Sequence, residues 1–129
     1  LLLPLLETFL ITLLLSNECG DSYKENIAIA STVWNRAEIN NTFVYTELLK
    51  PNQYPVNKIH LKKRLLERGL KSFTLKLACT VYAKFKPLKY THFCALYVNP
   101  KWCVKYTKIG QHKFVFIKED KDDLNLRLK

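Results

Sequence analysis

The first 16 residues, LLLPLLETFLITLLLS, constrain this chain most, because a run so apolar has to be removed from water. The run is shorter than the ~20 apolar residues that cross a bilayer, contains Pro4 and Glu7, and has no basic flank in front. A core helix is expected, with no membrane span. From Leu5 to Asn17, Thr8, Thr12 and Ser16 recur every fourth residue, which predicts a helix with one thin polar stripe and otherwise largely buried. Glu18 ends it, four residues after Leu14 and seven after Ile11, on the apolar side where burial disfavours a charged carboxylate. At such a seam the acid is either a surface helix end or a group kept for chemistry.

Gly20 breaks the helix. Ser22-Tyr23-Lys24-Glu25 then has the S-x-x-E form of a capping box, followed by Ile27, Ala30, Val33, Trp34 and Ala37 at helical spacing. Asn40-Asn41, Pro51 and Pro55 mark a loop region with a short ordered piece at Phe43 to Leu49. Two further helices are expected at Ile59 to Leu70 and Ser72 to Lys86, punctuated by Gly69 and Ser72 and stopped by Pro87. Tyr90 to Val98 and Lys113 to Ile117 read as strands, joined by a connection holding Asn99-Pro100 and Ile109-Gly110. The expected fold class is α+β, mainly α, with a small antiparallel sheet in the C-terminal half: one domain over residues 1–118 and a charged tail over 119–129.

The formal charge of +10 implies attraction to a polyanion, and nucleic acid, anionic lipid and acidic wall polymers all qualify. Most of the basic residues are spread from Lys58 to Lys129, with a local cluster at Lys62, Lys63 and Arg64, rather than gathered into one tract, the pattern of a solvated face. Cys19, Cys79, Cys94 and Cys103 allow three complete pairings, but their spacing contains no C-x-x-C and reduced thiols are the expectation. His92, Cys94, Cys103 and His112 lack zinc-finger spacing, so neither metal nor cofactor is expected.

Four strings in order cover about 100 of the 129 residues: Glu18 through Gly20-Asp21 to Asn35-Arg36; Pro51-Asn52-Gln53-Tyr54; Thr91-His92-Phe93-Cys94-Ala95 running on to Tyr97-Val98-Asn99-Pro100-Lys101-Trp102; and Ile109-Gly110-Gln111-His112-Lys113-Phe114. The ordered set resembles the SleB-type cell wall hydrolases, the spore-cortex-lytic and phage cell wall hydrolase family. Two departures stand out. One residue rather than two separates Glu18 from Gly20, and Cys94 stands where the family has a second His.

The resemblance implies a lysozyme-like fold and cleavage of the β-1,4 bond between N-acetylmuramic acid and N-acetylglucosamine in peptidoglycan, commonly by lytic transglycosylation with one Glu. It implies Glu18 as the catalytic acid and then base, in an exported or phage-associated protein acting at the bacterial cell wall. Substrate-binding candidates are Asp21 near the acid, Gln53 for an acetamido group, Tyr54 and Trp102 for stacking on sugar faces, and His92 and His112 in the cleft. Asn35-Arg36 reads as structural, tying a helix end to a loop. The alternative is a non-enzymatic basic binding module, either a degenerate glycan binder or a nucleic-acid-binding domain. The interleaved Tyr82-Ala83-Lys84-Phe85-Lys86 is the feature that favours it.

Overall fold

The computed structural model describes residues 2–50, 54 and 58–117. Gln53 and the 119–129 tail lie outside the described residues. Among the described residues four helices precede a sheet: α1 (Leu2–Glu18), α2 (Tyr23–Ile39), α3 (Val44–Leu49), α4 (Lys58–Phe85), β1 (His92–Ala95), β2 (Thr107–Ile109) and β3 (His112–Val115). The fold is α+β, mainly α, with a three-stranded antiparallel sheet in the C-terminal half. No described helix is long and apolar enough to cross a membrane.

The polar stripe of α1 faces inward, against expectation. Thr12 and Ser16 are buried, whereas Leu5 is 68% and Phe9 45% exposed. Each hydroxyl donates back to the carbonyl four residues earlier, Thr12 to Thr8 at 2.7 Å and Ser16 to Thr12 at 3.1 Å, so burial leaves neither unsatisfied. Their small size lets α4 approach, and Thr12 Oγ1 lies 3.3 Å from Thr80 Oγ1 on that helix. Only the second half of α1 is core, with Ile11, Leu14 and Leu15 at most 3% exposed. Burying each contributes roughly 1.5–3 kcal/mol relative to exposure.

α2 runs through the centre. Ser22 caps it, accepting from the Glu25 amide at 3.5 Å, and Ala28, Ile29, Ala30 and Val33 are fully buried. Asn35 Nδ2 donates to the Leu88 and Tyr90 carbonyls at 2.7 and 2.8 Å, tying the last turns of α2 to the loop after α4 as its position suggested. The two helices expected between residues 59 and 86 are halves of α4, joined at Gly69, whose φ of +82° a residue with a side chain rarely adopts.

β3 is the central, fully buried strand, flanked by β1 and β2. β2 falls in what reads from sequence as a connection. Its pairing of Ile109 with His112 closes a two-residue turn, Gly110-Gln111, in which Gly110 takes φ +60°. That hairpin brings His112 back against the start of α2.

Candidate active site

Glu18 is the last residue of α1, and its side chain is 14% exposed, well short of a solvated helix end. Oε2 is 3.9 Å from His112 Nε2, while Oε1 is buried and, among the described residues, accepts no hydrogen bond. Leaving such an oxygen unsatisfied costs about 1–3 kcal/mol.

The turn after Glu18 is held by side chains from two helices. Asn26 Nδ2 donates to the Gly20 and Ser22 carbonyls at 2.9 and 2.8 Å, and Asn26 Oδ1 accepts from Cys19 Sγ at 2.9 Å. Lys76 of α4, fully buried, donates to the Gly20 carbonyl and lies 3.3 Å from both Asn26 Oδ1 and Asp21 Oδ1. Ser72 also donates to Asp21 at 2.7 Å. Asp21, read from sequence as near the acid and substrate-binding, thus neutralises a buried ammonium and fastens α4 to the turn. Lys76 and Asn26 escaped sequence reasoning, although a lysine three and four residues before Cys79 and Thr80, on a buried face, was a legible anomaly.

Glu25 departs from the capping box it resembles. Ser22 does cap, but the Glu25 carboxylate turns to the β2–β3 hairpin, where Oε2 accepts from the Gln111 amide at 2.7 Å and from His112 Nδ1 at 2.8 Å. It is 5% exposed and fills the space a side chain on Gly110 would need. A carboxylate only accepts, so Nδ1 carries the proton and Nε2 is the nitrogen presented to Glu18. Burial pulls the His112 pKa down, but the hydrogen bonds and charges of Glu18 and Glu25 outweigh it, and the net shift is upward.

His92 and Trp102 form a second cluster. The His92 ring is 5.3 Å from that of Trp102 and is 5% exposed, with Nε2 on Arg36 Nη1 at 2.5 Å and Nδ1 on Thr91 Oγ1 at 2.9 Å. Tyr54 is a core residue, 8% exposed, its hydroxyl 3.4 Å from Thr32 and its ring 5.8 Å from Phe93. In this structure it presents no open face for a sugar. Phe93, which sequence reasoning passed over, also meets His112 edge-on at 5.5 Å and so connects the core rings to the acid cluster.

Two grooves of about 490 and 300 Å³ lie along the later turns of α2 and the loops beside them; Glu18 lines neither. Among the described residues no three His, Cys, Asp or Glu come together as a metal site. Comparisons with protein-family models, with curated proteins and with solved structures found no match.

Proposed function

We propose that this chain is a peptidoglycan-cleaving enzyme of the muramidase type, acting as a lytic transglycosylase on the β-1,4 bond between N-acetylmuramic acid and N-acetylglucosamine. The observation that carries the reading is Glu18 Oε1, a shielded carboxyl oxygen without a hydrogen bond among the described residues, at the seam where the ordered strings that resemble those of the cell wall hydrolases begin. Glu18 donates its proton to the bridging oxygen as the bond to the leaving sugar breaks. The resulting carboxylate then takes the proton of the muramic acid 6-hydroxyl as that oxygen closes on the anomeric carbon, giving a 1,6-anhydro end and restoring the acid.

The other carboxylates near the seam support a one-acid mechanism. Asp21 is engaged by Lys76 and Ser72, and Glu25 by Gln111 and His112. In this reading His112 orients Glu18 through Nε2, and Trp102, half-buried beside His92, stacks on a sugar face. The positive charge draws the protein to acidic wall polymers, an attraction that weakens with salt. The site of action is the bacterial wall, reached by export or from a phage.

The test is digestion of purified peptidoglycan with analysis of the released fragments. Anhydro-muropeptides are expected. Reducing ends would replace transglycosylation by hydrolysis, and binding without release would leave a glycan-binding module.

A further inference from the structure

We propose that Cys94 and Cys103 are a disulfide-forming pair that staples the β1–β2 connection to the sheet when a small-molecule disulfide oxidises them. Both are thiols whose sulfurs lie 3.9 Å apart, with Cys94 Sγ also 3.8 Å from the Val98 carbonyl. A disulfide needs about 2 Å between sulfurs, so closure asks for a displacement of roughly 2 Å. Cys94 is fixed, its backbone paired with Lys113 in the sheet. Cys103 sits in a run of turns where Val104 is 78% exposed, so the adjustment falls on a surface segment.

The connection is already folded back on itself. The Cys103 amide donates to the Pro100 carbonyl at 3.0 Å and the Val98 amide to Ala95 at 3.1 Å. Lys113 Nζ holds the Val98 carbonyl and Asn99 Oδ1, each at 2.7 Å. Much of the loop-closure entropy is therefore met before the bond forms.

With oxidised glutathione the chemistry balances in two exchanges. The Cys94 thiolate, from the more accessible of the two residues, attacks one sulfur of the oxidant and expels a glutathione thiolate. The Cys103 thiolate then attacks the Cys94 sulfur and expels the second. Two protein thiols lose two electrons and two protons, and one glutathione disulfide becomes two thiols. Burial first, then the neighbouring Cys103, push the Cys94 pKa up to about 11, so the first exchange quickens as the medium becomes alkaline. Cys19 and Cys79 are buried and donate to Asn26 Oδ1 and the Tyr23 carbonyl, which marks them as internal controls. The bond would fix the segment carrying Trp102 beside His92.

The reduced full chain is treated with oxidised glutathione at mildly alkaline pH, denatured, alkylated with iodoacetamide and digested with trypsin for mass spectrometry. The expected product joins the peptide from Tyr90 to Lys101 to the peptide from Trp102 to Lys105, with Cys19 and Cys79 alkylated. Oxidation is also expected to raise Tm by roughly 5–10 °C. Cys103→Ser should stop at glutathione on Cys94, with no such rise. Recovery of both cysteines alkylated, a cross-link to Cys19 or Cys79, or glutathione persisting on Cys94 of the unaltered chain would each overturn the proposal. None of these readouts depends on peptidoglycan cleavage.

Discussion

The two ends of α2 each gather a buried carboxylate, a histidine and a basic or polar partner, yet they are finished differently. At the C-terminal end Glu47 is fully buried and accepts from Thr42 Oγ1 and, at 3.1 and 3.2 Å to its two oxygens, from Asn40 Nδ2, with Lys50 Nζ at 3.0 Å and the Arg36 guanidinium at 3.5 Å as ion-pair partners. At the N-terminal end Glu25 Oε2 accepts from the Gln111 amide and His112 Nδ1, but Glu18 beside it keeps one oxygen without a hydrogen bond among the described residues. A saturated buried carboxylate is what a structural role requires. On the proposed reading, the one left short of donors is where a substrate has something to add.

The comparison is broken most directly at Glu18. Glu18→Gln keeps the shape and removes the acid, so peptidoglycan cleavage should fall by about 10²–10⁴-fold with thermal stability close to the parent. Fragment analysis and a melting curve together check this. Retained cleavage would move the acid elsewhere, and a collapse of stability would make Glu18 structural like Glu47.

Glu47→Ala should do the reverse. Removing the carboxylate takes the counter-charge from the Arg36 guanidinium, 1% exposed, at a cost of about 3–5 kcal/mol in urea unfolding. The fraction still folded should cleave within several-fold of the parent. If instead stability barely moves, water reaches Arg36 and the two ends of α2 are less different than their partners indicate.

Why one end was readable from sequence and the other only in part follows from where the partners lie. The pieces around Glu18 are local: a periodic apolar run, a glycine break, a serine cap. All three were legible, because each is a spacing of a few residues. Glu25 was misread because its real partners, Gln111 and His112, lie 86 and 87 residues away, and the S-x-x-E spacing offers a complete local answer that the fold does not use. The stripe of α1 was inverted for a related reason. A threonine that bonds its own helix is no longer polar to a neighbour, and periodicity alone does not say which face another helix will choose. β2 was missed because Thr107 and Lys108 are exposed and the strand spans three residues, leaving no buried alternation to detect.

Gly110 sharpens the contrast at smaller scale. Gly110→Ala places a Cβ on a backbone with φ +60° and directly against the Glu25 carboxylate. A loss of about 1–3 kcal/mol is expected, together with lower cleavage as Glu25 is pushed from His112. Gly20 is the control, since it has open space around its Cβ position and no positive φ, and Gly20→Ala should stay within about 0.5 kcal/mol. Equal effects at both glycines would mean that the hairpin yields and Glu25 is not held by it.

The smallest effect is the one most specific to the N-terminal end. The His112 pKa is raised in the folded chain, so protonated His112 contributes stability that is present in full below the unfolded histidine value of about 6.5. That contribution is lost as pH rises through the folded value. Over this window the urea midpoint of the parent should fall relative to that of His112→Gln, which has nothing to titrate. Burial opposes the two carboxylates, so only their net difference is available and the slope should be shallow. Glu25→Gln removes one of the charges raising the value, and an NMR titration of the His112 ring should show its pKa move down. A ring that titrates unchanged in that variant would separate Glu25 from His112 electrostatically, and the end of α2 that holds the acid would then be organised by Glu18 alone.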